Sequence, residues 1–232
     1  MSKKEQSLSD DHNPFKISYD YHQMVAKIMK SRYNYATGGK PNMIAIDIHD
    51  TLGDYILAMC QRYGPPKTWP TDGLRTLDGM WPAVDMTAHF DPSNHGPFLS
   101  IVPHFFDAPN AVWRLRQMGL TFCYFTATPE KYRDVMVDWL ELRLFPPAEM
   151  RMAESWTQKA EALAEMDDIS MIIEDSPTTL LAAADLGISC YVFDRPWNRD
   201  VTVGTRVCGW THLLWQITRD LSLYGMKQEK AT

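Results

Sequence analysis

Residues 43–52 have the sequence MIAIDIHDTL, and this stretch sets the fold that we expect for the whole chain. Its first part, Met43–Ile46, is a short continuous apolar run, which is typical of a strand buried on both faces of a parallel sheet. The run stops at Asp47. A carboxylate at the end of a buried strand is costly unless another group pairs with it. Asp47 is therefore either a cap for the turn after the strand or a functional group.

Two further apolar runs end in polar residues in the same way. Leu120–Phe125 leads into TATP at residues 126–129, and Ile169–Ile173 leads into EDSP at residues 174–177. Segments with helical periodicity separate the strands, which indicates βαβ units and a Rossmann-like α/β fold with helices on both faces of a parallel sheet. Because ligands bind beyond the carboxyl ends of such strands, the polar residues should meet at one edge.

The same periodicities predict the other elements. A tail at residues 1–13 precedes an amphipathic helix at about 19–33. Further helices are expected at about 109–119, 130–142, 157–166 (with Thr157 as N-cap), 178–186 and 211–223, and short strands at about 150–153 and 188–193.

The carboxylates that follow the strands point to a metal site. Asp47, Glu174 and Asp175 would repel one another at a single sheet edge unless a cation lay among them. Oxygen ligands of this kind suit Mg²⁺, which proteins hold through one or two carboxylates together with waters and substrate phosphate.

A carboxylate at such a site can attack a phosphate ester and form an aspartyl-phosphate, which water then hydrolyses. Asp47 is the candidate nucleophile, and Thr126 is the natural hydroxyl donor for the phosphoryl oxygens. Lys159 is the candidate cation against the developing charge; the alternative is a solvated lysine on a helix surface.

Taken in order, these elements resemble the haloacid dehalogenase phosphatases. DIHDTL matches the first motif of that family, FTAT the second, Lys159 the third and IEDSP the fourth, and TTLLAAADLGI after the fourth motif strengthens the match. The resemblance covers about residues 43–215. It implies a Mg²⁺-dependent phosphatase that works through Asp47.

Within that superfamily the chain is most similar to the 5'(3')-deoxyribonucleotidases, through FFDAPNAVWRLRQMG, FTATP, FDRPWNR and GTRVCGW. This implies a nucleoside monophosphate as substrate and a cap inserted at residues 53–105. The core would comprise 41–52 and 106–232, after an N-terminal tail and helix at 1–40. The implied substrate-binding residues are Thr126, Ala127, Lys159, Trp81 and Phe90.

The aromatic residues of the inserted segment, which include Trp69 and Phe98, have a second interpretation, as the ordinary core of a small domain. The loop at residues 195–199 (RPWNR) is likewise open to two interpretations: it contacts substrate, or it braces the fourth motif.

Two positions depart from the family pattern. His49 stands where the family usually has an acid/base Asp; an imidazole can serve as acid and base near neutral pH, and the alternatives are that it cannot reach the leaving group or that Asp50 substitutes. Its backbone carbonyl would still join Asp47 and Asp175 around the metal. Thr179 replaces a further Asp, and Glu174 would compensate through water.

The alternatives to a nucleotidase are a phosphatase of another small ester, such as a sugar phosphate, and a phosphate-ester-binding protein whose hydrolysis is impaired at His49. Dehalogenases need no metal, so the acidic pair at 174–175 favours a phosphatase.

Composition sets the outer limits. The chain has 232 residues, 45% of them hydrophobic, and a formal net charge of −6, which argues against a broad surface for a nucleic acid polymer. Its four cysteines form no CxxC pair and are expected to be free thiols. We find no signal-peptide pattern or membrane-spanning run, so a cytoplasmic location is expected. The stripe of the 19–33 helix is compatible with a homodimer.

Overall fold

A six-stranded parallel sheet forms the centre of the computed structural model, which describes residues 43–69 and 77–229, without the side chains of 78 and 222–229. The sheet order is β3-β2-β1-β4-β5-β6, and each neighbouring pair is parallel. The predicted α/β class is thus confirmed. The strands are β1 (Met43–Ile46), β2 (Thr121–Thr126), β3 (Glu149–Met152), β4 (Ile169–Glu174), β5 (Ser189–Phe193) and β6 (Thr205–Val207).

The helices follow the predicted pattern from residue 108 onward. Those within the inserted segment are α1 (Tyr55–Tyr63), α2 (Leu77–Met80), α3 (Met86–Phe90) and α4 (Pro92–Ile101). The others are α5 (Ala108–Gln117), α6 (Arg133–Leu142), α7 (Trp156–Ala162), α8 (Pro177–Asp185) and α9 (Trp210–Glu229), with 3₁₀ turns at Glu130–Tyr132, Leu163–Glu165 and Pro196–Asn198. The predicted tail and helix before residue 34 lie outside the described residues.

The start of α7 differs from the prediction. Ser155, and not Thr157, is the N-cap, because its hydroxyl accepts a hydrogen bond from the Gln158 N–H at 3.2 Å. The Gln158 side chain in turn accepts from the Glu154 N–H at 3.1 Å. The helix therefore begins one residue earlier than predicted, at Trp156, and this exposed residue had masked the capping pattern.

Alternate side chains of each central strand pack into two separate cores. In β1, Ile44 and Ile46 face a core built with α5, α6, α9 and the inserted helices, while Ala45 faces the core of α7 and α8. This division follows from the two-residue period of a strand. Burial of both faces explains why β1 is continuously apolar.

The inserted segment leaves and re-enters the core at one place. Gly53 forms an antiparallel bridge with His104, the Asp54 N–H donates to the Pro103 carbonyl at 2.7 Å, and the Phe105 N–H donates to the Leu52 carbonyl at 2.9 Å. A cap limited to residues 53–105 stays a prediction, and this paired stem supports its boundaries.

Two further predictions concern the cysteines and the membrane. Cys60, Cys123, Cys190 and Cys208 are all free thiols, as predicted. None of the helices in the described part of the chain has the length and apolar character that crossing a lipid bilayer requires.

Candidate active site

Three carboxylates meet beyond the carboxyl ends of β1 and β4, as the sequence predicts. Asp47 follows β1 directly, Glu174 ends β4, and Asp175 follows it. All three side chains are buried, and one oxygen from each lies within 4.8 Å of the others. We call these three residues the carboxylate cluster. β1 and β4 are neighbours in the sheet, which brings their ends together.

Lys159 projects from α7 into this cluster. Its Nζ donates to Asp47 Oδ1 at 2.5 Å and to Glu174 Oε2 at 2.6 Å, and its side chain is only 1% exposed. Burial alone would lower the pKa of Lys159, but the charges of Asp47 and Glu174 raise it above its ordinary value. The lysine is therefore a buried cation of the site, and the alternative of a solvated surface lysine is wrong.

Both oxygens of Glu174 already have partners. Oε2 accepts from Lys159, and Oε1 accepts the backbone N–H groups of Asp175 at 3.1 Å and Ser176 at 2.9 Å. Burial and the negative charge of Asp47 raise the pKa of Glu174 to about 7. Glu174 therefore orients Lys159 and stabilises the turn after β4. That Glu174 also binds the metal stays a prediction.

Asp47 presents its second oxygen inward without a partner. Oδ1 accepts from Lys159, whereas Oδ2 is buried and has no hydrogen-bond partner of good geometry among the residues that the structure describes. The Thr51 hydroxyl and the Ile48 N–H lie near this carboxylate and favour its ionised form. Burial raises the pKa of Asp47, although the Lys159 ammonium acts against this shift. Among the four side chains, three carboxylates face one ammonium. A hard divalent cation such as Mg²⁺ fits this donor set, because it would bind the unpartnered oxygen of Asp47 and offset the surplus negative charge of the three carboxylates.

Asp175 is held by the loop that follows β5. The Trp197 indole N–H donates to Asp175 Oδ2 at 2.8 Å, and the Asn198 amide donates to the Asp175 backbone carbonyl at 2.8 Å. Sequence reasoning did not identify Trp197 or Asn198 as site residues. Both residues lie in the FDRPWNR stretch, which was the available sequence signal; the sequence alone left open whether this stretch contacts substrate or braces the fourth motif.

The end of β2 contributes hydroxyl groups. Thr126 Oγ1 and Thr128 Oγ1 lie 3.0 Å apart, and both residues are buried. β2 is the other neighbour of β1, so Thr126 ends beside the strand that leads to Asp47. Ala127 between them is partly buried. Thr128 was not predicted as a site residue; the second threonine of FTATP was the available signal.

His49 and Asp50, the second and third residues after Asp47, have different surroundings. His49 is partly buried, and its ring centroid lies 5.0 Å from that of Tyr55 on α1. Asp50 has a left-handed backbone (φ 60°), and its Oδ1 accepts the Ile56 N–H at 2.9 Å at the start of α1. The carboxylate of Asp50 thus stabilises a helix end, which leaves His49 as the better candidate for acid/base chemistry. Thr179 is buried in α8 and adds no charge.

The predicted aromatic contacts divide into three cases. Trp81 is 4% exposed, belongs to the core and donates its indole N–H to the Gly64 carbonyl at 2.8 Å, which favours the interpretation as an ordinary core residue. Phe90 is partly exposed and packs beside His89 and His95. Trp69 is 44% exposed and stacks on Trp197 with a centroid separation of 6.4 Å.

Two histidines in the inserted segment were missed by the sequence analysis. His89 bonds through Nε2 to the Tyr55 hydroxyl at 2.9 Å and through Nδ1 to the Tyr63 hydroxyl at 3.0 Å. Burial lowers the pKa of His89 to about 4 and that of His95 to about 3. The rings of His89 and His95 pack at 5.2 Å. We call this pair, with its tyrosine partners, the histidine cluster.

The fold defined by this sheet is that of the haloacid dehalogenase-like hydrolases, as the sequence resemblance implied. Comparison of the sequence with protein-family models and with curated proteins gives no match. Solved structures do show the same fold. A predicted phosphatase from Clostridium acetobutylicum aligns with a TM-score of 0.54 and 11% identity, over 78% of this chain and 99% of that one.

Two other solved structures give the same result. A predicted phosphoglycolate phosphatase from Haemophilus somnus has a TM-score of 0.51 and 13% identity, with 75% of this chain and 97% of that chain covered. A haloacid dehalogenase-like hydrolase from Streptococcus pneumoniae has a TM-score of 0.51 and 12% identity, with 77% and 98% covered. At such identities the likeness establishes the fold, and function has to be argued from the site.

Proposed function

We propose that the protein is a Mg²⁺-dependent phosphatase that hydrolyses nucleoside monophosphates, with deoxy forms preferred, through an aspartyl-phosphate on Asp47. The observation that carries the proposal is the carboxylate cluster itself. Lys159 holds one oxygen of Asp47 at 2.5 Å while the other oxygen is buried without a hydrogen-bond partner. Such a carboxylate is oriented, and its partnerless oxygen is available to a metal ion or a phosphorus atom.

The residues that would hold Mg²⁺ are Asp47, Asp175 and the backbone carbonyl of His49. When bound, the ion would neutralise charge on the phosphate and on the nucleophile. Lys159 supplies a second, permanent positive charge, since Asp47 and Glu174 raise its pKa. The Thr126 hydroxyl and the backbone N–H of Ala127, at the end of β2 beside β1, would donate to the phosphoryl oxygens.

In the first step an oxygen of Asp47 attacks phosphorus, the ester P–O bond breaks, and the leaving alkoxide takes a proton from His49. In the second step His49 accepts a proton from water as that water attacks phosphorus. The bond to Asp47 then breaks and releases inorganic phosphate, which restores both side chains.

The charge balance distinguishes this proposal from a phosphate-ester-binding protein. A scaffold that only binds an anion gains nothing from three buried carboxylates, which repel that anion unless a cation is present. The oriented pair of Lys159 and Asp47 serves a bond-forming step. Dehalogenation requires no cation and would leave the surplus negative charge of the carboxylate cluster without compensation.

The nucleotide assignment rests on the resemblance to the deoxyribonucleotidases and on the aromatic side chains of the inserted segment. Phe90 offers a partly exposed ring on which a base could stack. One structure with the same fold is named as a phosphoglycolate phosphatase, so phosphoglycolate and sugar phosphates are the natural competitors in a test.

The test is phosphate release from ribo- and deoxyribonucleoside monophosphates, phosphoglycolate and sugar phosphates, with Mg²⁺ and with EDTA. We expect release from deoxyribonucleotides that EDTA abolishes and that Asp47→Asn reduces by at least about 10³-fold, as loss of a nucleophile does. Asp85→Asn is the matched control, since this exposed carboxylate caps α3 by accepting the Ala88 N–H. Equal rates in Asp47→Asn and wild type would refute the mechanism, and release from sugar phosphates alone would refute the substrate class.

A further inference from the structure

The loop between β5 and β6 touches both of the acidic turns that form the site. Arg195 reaches the turn after β1, while Trp197 and Asn198 reach Asp175 after β4. The sequence left open whether this loop contacts substrate or braces the fourth motif. The hydrogen bonds of its side chains decide between the two.

Trp197 fixes one carboxylate oxygen of Asp175. Its indole N–H donates to Oδ2 at 2.8 Å, and the ring is buried. A carboxylate with one oxygen held by a rigid, buried donor has little rotational freedom, so the direction of its other oxygen is also set. Groups that hold metal ligands in this manner contribute to the affinity for the metal.

Asn198 provides a second contact to Asp175, through the backbone carbonyl, that does not depend on the Trp197 indole. Its buried amide donates to the carbonyls of Asp175 at 2.8 Å and Phe193 at 2.7 Å, and its Oδ1 accepts from the Arg195 N–H at 3.1 Å and the Arg206 guanidinium at 2.8 Å. All four hydrogen-bonding positions of the amide are used. Any rotation would leave a buried polar group unpaired, so the amide is locked.

Arg195 holds the other turn. Its Nε and Nη2 both donate to the Asp50 carbonyl, at 2.9 and 2.6 Å. Asp50 has φ 60°, a left-handed conformation that persists in a non-glycine residue when its surroundings hold it. The guanidinium also lies 4.7 Å from the ring centroid of Phe105, where the inserted segment re-enters the core.

We propose that Arg195, Trp197 and Asn198 are positioning residues that set the separation between Asp47 and Asp175, and thereby the affinity of the site for its cation. The inference rests on the proposed function only in that Asp47 and Asp175 bind a divalent cation. The side-chain hydrogen bonds of these three residues run to the two acidic turns, to β5 and β6 and to the loop itself, so bracing is the role that the geometry assigns.

The test is calorimetric titration of the full-length protein with Mg²⁺ in the absence of substrate. Trp197→Phe keeps an aromatic ring and removes the N–H, and we expect the Kd for Mg²⁺ to rise at least about tenfold. Trp113→Phe is the matched control, because its indole N–H donates to the Leu144 carbonyl at 2.9 Å, in the segment that leads into β3 and not in the turns beyond the carboxyl ends of the strands. A Kd within twofold of wild type in Trp197→Phe would overturn the inference.

Arg195→Lys tests the other turn and provides a second variant if Trp197→Phe does not fold. It keeps the charge and loses the paired N–H donors, so the Kd for Mg²⁺ should rise severalfold. In turnover, both variants should need more Mg²⁺ for half-maximal rate, and kcat should recover at saturating Mg²⁺. A fall in kcat that Mg²⁺ does not rescue would indicate a general structural defect and overturn the inference.

The outcomes separate this inference from the proposed function. Mg²⁺ binding that depends on Trp197, in a protein that releases phosphate from no compound, refutes the phosphatase and supports the positioning role. Phosphatase activity with a Kd that neither variant changes refutes the positioning role alone. A wild-type protein that binds no Mg²⁺ refutes both.

Discussion

The carboxylate cluster and the histidine cluster are both buried and polar, yet the first contains charged side chains and the second contains neutral ones. The first keeps three carboxylates around one ammonium and leaves an oxygen of Asp47 without a partner. The second keeps its imidazoles neutral, since burial lowers the pKa of His89 to about 4, and gives both ring nitrogens of His89 a tyrosine hydroxyl.

The difference indicates which region is built to bind a ligand. Buried polar groups that stabilise a fold are normally satisfied within the protein. Both ring nitrogens of His89 are satisfied, whereas Nδ1 of its neutral neighbour His95 has no hydrogen-bond partner among the described residues. The carboxylate cluster instead retains surplus charge, which lowers stability unless something compensates it. Sites of function are where such local costs are expected. Each of the following experiments changes one residue of these clusters, or His49 between them.

The largest effect on stability is expected when Lys159 is removed. Lys159→Met leaves Asp47 and Glu174 facing each other in a buried space, and losing one member of a buried ion pair costs about 3–5 kcal/mol. The free energy of unfolding should fall by that amount in urea denaturation without Mg²⁺. Added Mg²⁺ should restore part of it.

Lys67→Met provides the control, because Lys67 is exposed and its change should stay within about 0.5 kcal/mol. A loss below about 1 kcal/mol in Lys159→Met would show that the cluster does not depend on the ammonium. The carboxylate cluster would then not differ from the histidine cluster in its need for charge compensation.

The sheet edge could be predicted from sequence because its signals are local. A four-residue apolar run stops at Asp47, a similar run stops at Glu174, and parallel strands bring their ends together by geometry alone. Motif order made Lys159 the candidate cation of this edge, whereas its hydrogen bonds to Asp47 and Glu174 are known only from the structure. What failed in this region was small, such as the cap of α7.

The contacts made by the inserted segment and the β5–β6 loop could not be predicted, and the reasons are physical. Helix α4 contains Pro97 and Gly96, which suppress the helical signal in sequence. Strand β6 has three residues and is too short for a periodic pattern. The hydrogen bonds from Trp197 to Asp175 and from His89 to Tyr63 join residues 22 and 26 positions apart, and no local sequence pattern indicates them.

His49 lies between the two clusters, and substituting it shows whether it acts in catalysis with the carboxylate cluster or packs with the histidine cluster. It is two residues from Asp47, yet its ring packs 5.0 Å from Tyr55, the partner of His89. If it is the acid and base of the reaction, His49→Gln should lower kcat by at least about 100-fold while unfolding in urea changes little. His212→Gln, on α9, is the control.

The role of His49 is decided by steady-state kinetics with one of the phosphate esters that the wild-type protein hydrolyses well. A kcat within threefold of wild type, combined with a clear loss of stability, would place His49 with the histidine cluster. It would also return the acid/base role to another group.

The smallest expected effect concerns pH and the neutrality of His89. Its pKa is about 4 in the folded protein and near 6.5 when unfolded, so between these values the unfolded chain binds more protons. Stability from this residue is therefore complete above pH 6.5 and is lost as the pH falls toward 4. Arg62 is the nearby positive charge that adds to this shift, and His95 responds in the same direction.

The comparison of wild type with His89→Gln isolates this contribution, since glutamine can still hydrogen-bond to Tyr55 and Tyr63 but does not titrate. Between pH 7 and pH 4.5 we expect wild type to lose on the order of 2 kcal/mol more than the variant in urea denaturation. Groups whose pKa does not depend on His89 cancel in the difference. Parallel pH profiles would mean that His89 carries its proton in the folded state. The inserted segment would then also hold buried charge, and the feature that sets the carboxylate cluster apart would be lost.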